Sequence, residues 1–179
     1  MKESPEKLNT QAISLASEGS FKEAVACFHQ ALLIEKSNYL LWYNLGLTYR
    51  DYGNLELAKE ALLQAYKCNE YDQDVIETLS LVCYAMDNID AAFLYCRLGL
   101  EVNPENPHMW NNMGVFFFSK GEYADASDAF ETALSIYPHY YDALYNLRDT
   151  YIELNNTVGS EECSLKLKFL SKKREKYVR

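Results

Sequence analysis

Histidines, cysteines and paired acidic residues are the side chains with which this chain could do acid–base or nucleophilic chemistry. The 179 residues include three histidines and five cysteines. Cys27 and His29 are two positions apart, so on a helix they would point away from each other and could not form a nucleophile–base pair. The acidic pair Glu161 and Glu162 is more typical of a helix start than of catalytic carboxylates. Since the sequence also lacks a Gly-rich phosphate loop and metal-ligand spacings, we predict no enzyme activity, no metal and no cofactor.

Charge is distributed unevenly along the chain. Residues 1–163 contain 10 Lys and Arg against 25 Asp and Glu, whereas residues 164–179 contain seven basic residues against one Glu. The acidic body disfavours nucleic acid and favours basic partners. We expect the basic C-terminal run to be a solvated cap, with contact to an anionic surface as a second interpretation. The scattered cysteines, and the lack of a signal peptide or an 18-residue apolar run, predict a cytoplasmic protein without a transmembrane segment.

An internal repeat gives the elements that must position any site. WYNLG at residues 42–46 returns as WNNMG at residues 110–114, and half of that 68-residue interval is a period that recurs along the chain. Units of this half length begin at Pro5, Tyr39, Gln73, Pro107 and Tyr141. Their eighth place, where helices would approach closely, holds Ala12, Gly46, Ser80, Gly114 and then Arg148. Their fifteenth place, which fits a left-handed helix end, holds Gly19, Gly53, Asp87 and Gly121 in the first four units. Apolar residues at spacings of three and four predict an all-helical chain.

This pattern of Trp, Leu, Gly, Tyr, Ala, Phe and Pro resembles the tetratricopeptide repeat over residues 5 to about 154. The resemblance implies an all-α, right-handed superhelical solenoid of antiparallel helix pairs. We expect one domain over residues 1–179, with units at about 5–38, 39–72, 73–106 and 107–140 and a divergent capping pair at 141–176. Trp42 and Trp110 are predicted to be core wedges. Ser160 is predicted to begin the last helix, whose Leu165, Leu167, Phe169 and Leu170 would cover the end of the stack.

The first helices carry a second stripe at the second, fifth, ninth and twelfth places, which form one face. In the family this face lines a concave groove, and an Asn at the sixth place often holds the backbone of an extended peptide. The resemblance implies such a role for Asn44, Asn112 and Asn146. The predicted peptide-binding groove consists of Leu40, Tyr43, Asn44, Leu47, Glu77, Leu81, Tyr84, Asn111, Asn112, Val115, Phe118, Tyr145, Asn146 and Asp149.

We predict a non-catalytic scaffold or adaptor that binds a peptide with apolar anchors and basic flanks. The basic clamp with which some family members grip a chaperone's C-terminal carboxylate is missing. Its places hold Asn9, Ile13, Asp74 and Thr78, or, one unit later, Tyr43, Leu47, His108 and Asn112. One alternative is a role similar to that of the secretion chaperones of this class, which hold an apolar client segment. Another is a groove filled by the chain itself or by a second copy, as in a self-assembling scaffold or homo-oligomer.

Overall fold

The computed structural model describes the backbone of residues 4–177 and the side chains of residues 4–172. Over this range the chain forms five antiparallel helix pairs and no strand, which confirms the predicted all-α class. The first helices of the pairs are α1 (Pro5–Ser17), α3 (Tyr39–Asp51), α5 (Gln73–Ala85), α7 (Pro107–Ser119) and α9 (Tyr141–Glu153). The second helices are α2 (Phe21–Ile34), α4 (Leu55–Cys68), α6 (Ile89–Val102), α8 (Tyr123–Ile136) and α10 (Thr157–Tyr177).

Four of the first helices begin at a polar capping side chain that recurs at the repeat interval. Ser4, Asn38, Asp72 and Asn106 each accept a hydrogen bond from a backbone N–H of the first turn. Such a bond satisfies one of the donors that have no partner within the helix. The repeat therefore encodes helix starts as well as packing positions.

The turn between the two helices of each pair is left-handed at the fifteenth place. The backbone φ is 80° at Gly19, 84° at Gly53, 58° at Asp87 and 76° at Gly121, and it is 56° at Asn155 in the fifth pair. Asn tolerates this conformation better than most residues, so the fifth pair keeps the register of the other four.

Because that register is kept, α10 begins three residues before the predicted Ser160. Its first turn is capped by Asn156, whose Oδ1 accepts a hydrogen bond from the Gly159 backbone N–H at 3.0 Å. The prediction that Ser160 begins the helix is wrong, since Asn155 lies in the turn, Asn156 is the cap and residues 157–159 are already the first turn of α10.

Two glycines at the eighth place allow the helices of a pair to touch. A Cβ at Gly46 would lie 2.7 Å from Leu62 Cγ, and a Cβ at Gly114 would lie 2.6 Å from Phe130 Cε1. Both facing side chains are buried, and packed interiors have little room to move them. The small residues predicted at this place are thus a packing requirement.

The two tryptophans tie the turn that precedes a first helix to that helix. Trp42 Nε1 donates a hydrogen bond to the Lys36 carbonyl, and Trp110 Nε1 donates one to the Pro104 carbonyl, each at 2.8 Å. Trp42 is partly buried against the core that includes Leu8, Leu41 and Leu45. Its role is structural, as predicted, and the indole N–H adds a bond that the pattern did not reveal.

The chain divides into two compact units, Met1–Tyr95 and Cys96–Arg179. In the second unit α10 packs on the core through Cys163 and Leu167, with Leu170 partly buried beside them. Leu165 and Phe169 are 67% and 64% exposed. The expectation that all four apolar residues of α10 cover the stack therefore fails for these two, because they lie on the opposite side of the helix. Most of the basic C-terminal run lies outside the described side chains.

Candidate peptide-binding surfaces

The predicted groove residues lie on first helices of both compact units. In the first unit they belong to α3 (Leu40, Tyr43, Asn44, Leu47) and α5 (Glu77, Leu81, Tyr84). We call this face, together with the adjoining face of α1, the first-unit surface. Leu40 is 49% exposed and Leu81 is 37% exposed, and the other five are half-buried. This surface is accessible, as a binding face must be.

A cavity of about 260 Å³ opens on the first-unit surface between α1 and α3. Two of the predicted residues, Asn44 and Leu47, line it, and Ile13 lines it with 47% of its own surface exposed. Asp51 also lines the cavity, and it is paired with Arg50 at 2.9 Å. The full lining is Ile13, Ala16, Ser17, Phe28, Asn44, Leu47, Thr48 and Asp51. We call this cavity the α1–α3 pocket.

The contribution of α1 to this pocket was not among the predicted site residues. Ile13 and Ala16 occupy the ninth and twelfth places of the first unit, which are the same places that gave Leu47 and Arg50 in the second. The repeat pattern therefore predicts both residues once the stripe of second, fifth, ninth and twelfth places is extended to the first unit.

The asparagines at the sixth place form hydrogen bonds between successive first helices. Asn44 Nδ2 donates to Asn9 Oδ1 in the first unit, and Asn146 Nδ2 donates to Asn111 Oδ1 in the second, both at 3.0 Å. An amide has two N–H groups and a carbonyl that can accept twice. Each bond thus positions the asparagine on its helix and uses a single N–H of its amide.

Tyr43 makes a similar contact between successive first helices, since its hydroxyl lies 3.4 Å from Thr78 Oγ1 on α5. Burial raises the pKa of Tyr43, and the hydrogen bond to Thr78 opposes this. The fifth place of one repeat and the sixth place of the next thus pair through polar side chains, with Thr replacing Asn in the third repeat.

The second-unit surface consists of the predicted residues on α7 (Asn111, Asn112, Val115, Phe118) and α9 (Tyr145, Asn146, Asp149). Asn111 and Asn112 are only 7% and 8% exposed, whereas Tyr145 is 45% exposed. The Arg148 guanidinium lies 4.1 Å from the Tyr145 ring centroid and 2.6 Å from Asp149 Oδ1. The hydrogen bond that Arg148 donates to Asp149 raises the pKa of Arg148. The negative charge of Asp149 is therefore compensated locally.

A larger cavity of about 390 Å³ lies elsewhere in the first unit, between α2, α3 and α4. Its walls combine Trp42, Tyr49 and Leu57 with the charged Glu60 and Lys67. His29 Nε2 lies 3.3 Å from the Tyr49 hydroxyl at its edge. None of these residues was a predicted site residue, because the repeat assigns them to core places or to an ordinary charged surface.

The described part of the chain contains no group of three or more His, Cys, Asp and Glu side chains that could hold a metal ion. Among the same residues, no helix combines the length and the apolar composition needed to cross a membrane.

Helix pairs that repeat at a constant interval, with partly exposed first-helix faces, define a repeat protein of the interaction-scaffold class. Sequence models of the tetratricopeptide repeat match residues 9–73 and 109–140. The chain belongs to the tetratricopeptide repeat family.

Two curated relatives share the repeat but are much longer. The peroxisomal targeting signal receptor of Saccharomyces cerevisiae is 29% identical over 102 residues, which are 57% of this chain and 16% of the receptor. The BBSome complex member BBS4 of Bos taurus is 24% identical over 139 residues, which are 78% of this chain and 27% of that protein. The chain thus spans less than a third of the length of either relative.

Solved structures with the same fold cover nearly the whole chain. MamA superposes with a TM-score of 0.82 at 21% identity, covering 99% of this chain and 97% of that one. BtubC from P. vanneervenii has a TM-score of 0.87 at 19% identity, covering 95% and 80%. YrrB, described as a TPR protein with an unusual peptide-binding site, has a TM-score of 0.71 at 21% identity, covering 92% and 84%. At these identities the likeness shows the fold alone.

Proposed function

We propose that the chain is a non-catalytic, cytoplasmic scaffold that binds an apolar segment of a partner protein at the first-unit surface. The observation that carries this proposal is the α1–α3 pocket, where the predicted residues Asn44 and Leu47 meet the half-exposed Ile13. Three features of the pocket support a peptide rather than another ligand: its size, its polar edge and its charge.

The size of the α1–α3 pocket suits one apolar side chain. Its volume of about 260 Å³ falls below the roughly 300–1,000 Å³ of cavities that enclose whole small molecules. Ile13, Leu47 and Phe28 supply an apolar floor and walls. An anchoring Leu, Ile or Phe of an extended segment would bury its side chain here while its backbone stays at the rim.

The polar edge of the pocket is held in place before a ligand arrives. The bond from Asn44 to Asn9 fixes the amide on the wall of the cavity. A fixed amide can bond the backbone of a bound segment without losing side-chain entropy at that moment. This supports the role that the family resemblance implies for Asn44.

The charge around the pocket favours basic flanks. The first-unit surface carries the carboxylates of Asp74 and Glu77 on α5, and Asp51 lies at the pocket itself. Arg50 compensates Asp51, so we assign the preference for Lys or Arg mainly to the α5 carboxylates. A chaperone-type scaffold would use the same pocket for an apolar client segment, and it would differ in preferring partners that are unfolded.

The test is a fluorescence-anisotropy titration with three labelled nonapeptides: one central Leu with Lys flanks, the same Leu with Glu flanks, and Ala with Lys flanks. We expect the first to bind tightest. Leu47→Asp places a charge in the pocket and should weaken its binding by about 10- to 100-fold, since burial of one Leu contributes about 1.5–3 kcal/mol.

Two variants of the same type serve as controls. Leu33→Asp changes a residue of α2 that is 83% exposed, and Leu57→Asp changes a wall of the larger cavity. Both should bind the peptide as the wild type does, with circular dichroism showing that all three variants keep their helices. Equal binding of the Lys- and Glu-flanked peptides would contradict the charge preference, and loss of binding only in Leu57→Asp would move the site to the larger cavity.

A further inference from the structure

Helix α10 carries an apolar stripe that the described residues leave exposed. In the described chain α10 has 21 residues, whereas the other helices have 13 or 14. Cys163 and Leu167 are buried against the second-unit core. Val158, Leu165 and Phe169 are 69%, 67% and 64% exposed.

These three apolar residues share one side of α10. At about 100° per residue, Val158 and Phe169 lie within about 40° of Leu165 around the helix, whereas Cys163 and Leu167 lie about 160° away. Glu161, Glu162, Lys168 and Lys172 fall within about 60° of Leu165 by the same geometry, and all are exposed. We call this side, made of Val158, Glu161, Glu162, Leu165, Lys168, Phe169 and Lys172, the α10 ridge.

The ridge differs from an ordinary end cap. Terminal repeats present a polar outer face to water, and single exposed apolar residues are common on any surface. Here three large apolar side chains follow one another along a single ridge over three turns of helix. A continuous stripe of this kind is typical of a surface that packs on another helix.

The acidic and the basic residues of the ridge lie on opposite sides of Leu165 along the helix. Glu161 stands four residues before Leu165, and Lys168 stands three residues after it, on the same flank. If two ridges meet in parallel, Glu161 lies beside acidic residues and Lys168 beside basic ones. If they meet antiparallel about Leu165, Glu161 faces Lys168 of the second copy, and Lys168 faces Glu161 of that copy.

We propose that the α10 ridge pairs antiparallel with the α10 ridge of a second copy of this chain, forming a two-fold symmetric dimer. Leu165 packs against Leu165 of the second copy at the two-fold axis. Val158 of one helix comes within about one turn of Phe169 of the other, since these residues lie seven before and four after the centre. A surface that complements itself in this way is the condition for an isologous interface.

A second copy fits the ridge better than an unrelated partner on grounds of charge. Each chain has a net charge of −9, so two copies repel each other at long range. The alternation of Glu161 and Lys168 on the ridge supplies local attraction where the copies touch, and it does so twice per dimer. An acidic or a basic partner helix would satisfy only half of the ridge charges.

The test uses sedimentation velocity on the full chain over about 1–100 µM, a range in which modest helix–helix interfaces dissociate. We expect the wild type to dimerise and Leu165→Asp to be monomeric. Glu161→Lys and Lys168→Glu should each raise the dissociation constant by about tenfold, because each replaces two attractive pairs with two repulsive ones.

The double variant Glu161→Lys, Lys168→Glu is decisive because it inverts both pairs. Antiparallel pairing predicts a dissociation constant within about threefold of the wild type, since only the order of the charges has changed. Leu33→Asp, on α2 of the first unit, is the matched control and should dimerise normally. Circular dichroism shows whether each variant keeps its helices.

Three outcomes would overturn the proposal. A wild type that is monomeric over the whole range excludes the dimer, and binding of that monomer to anionic vesicles would assign the basic end of α10 to a lipid surface instead. A dimer that survives Leu165→Asp places the interface elsewhere. A double variant no tighter than the single ones excludes the antiparallel arrangement. None of these results affects the α1–α3 pocket, which lies in the other compact unit.

Discussion

Tyr151 shows how one side chain links packing to ionisation in the second unit. Its hydroxyl donates a hydrogen bond to Glu131 Oε1 at 2.7 Å, so α9 is tied to α8. Burial raises the pKa of Tyr151 strongly above its usual value, and the bond to the Glu131 carboxylate raises it further. The proton on this hydroxyl is therefore held more tightly in the folded chain than in the unfolded one.

The expected consequence is a loss of stability at high pH. The unfolded state releases the Tyr151 proton above about pH 10, whereas the folded state keeps it. The contribution of Tyr151 to the free energy of unfolding should therefore be constant below pH 10 and should fall as the pH rises above that value. Urea unfolding of the wild type and Tyr151→Phe at pH 8 and pH 10.5 measures the effect. At pH 8 the free energy of unfolding of the variant should be lower than that of the wild type by about 1 kcal/mol, because the hydrogen bond is missing. Between pH 8 and pH 10.5 it should fall by less than that of the wild type.

Tyr52→Phe controls for the removal of a tyrosine in general, since Tyr52 lies in the other unit and is 48% exposed. Its free energy of unfolding at the same two pH values is the reference for the loss of a tyrosine hydroxyl. If Tyr151→Phe also lost as much stability as the wild type at pH 10.5, the Tyr151–Glu131 bond would not be the source of the pH dependence.

At the scale of the helix pair, the turn at the fifteenth place sets the register. Asn155 adopts φ 56° in the fifth pair, where three of the other pairs use Gly. For most L-residues this conformation costs about 1–2 kcal/mol. Asn155→Ala should therefore lower the free energy of unfolding by about 1 kcal/mol, and Asn155→Gly should leave it unchanged or raise it.

Chemical denaturation monitored by circular dichroism ranks these variants. Glu153→Ala is the control, since Glu153 is exposed at the end of α9, before the turn. It should change stability by less than about 0.5 kcal/mol. Equal stability of Asn155→Ala and Asn155→Gly would mean that the turn does not hold the fifth pair in register.

Helix positions were predictable from the sequence because the constant repeat interval carries several independent signals at once. Small residues at the eighth place and glycines at the fifteenth agree on the same register in the first, second and fourth repeats. The fifth repeat was misjudged at its turn because Asn155 replaces Gly there, and Asn alone is a weaker signal of a left-handed residue. The start of α10 was misplaced for this reason.

The candidate site was predictable in position but not in shape. The stripe placed Asn44 and Leu47 on one face, and both line the α1–α3 pocket. The bond between Asn44 and Asn9 was not foreseeable from periodicity, because it depends on how two side chains of neighbouring first helices are oriented. The exposure of Leu165 and Phe169 was missed because the pattern does not say which side of a last helix stays uncovered.

At the scale of the whole chain, two compact units divide the repeats. Residues Met1–Tyr95 contain two complete helix pairs and Cys96–Arg179 contain two more, with α6 spanning the division. A single repeat cannot bury its apolar face, and about three stacked repeats are needed for stability. Neither unit reaches three complete pairs. We therefore propose that residues 1–179 fold as one domain.

Cooperative unfolding is the prediction that tests this proposal, and the two tryptophans report on it because Trp42 lies in the first unit and Trp110 in the second. In Trp110→Phe, urea unfolding followed by Trp42 fluorescence should coincide with unfolding followed by circular dichroism. Adding Leu144→Ala should destabilise the core of the second unit by about 2–5 kcal/mol, since Leu144 is buried there. If the chain is one domain, the midpoint reported by Trp42 moves to lower urea together with the circular dichroism. If the units are independent domains, Trp42 keeps its midpoint while part of the helical signal is lost earlier.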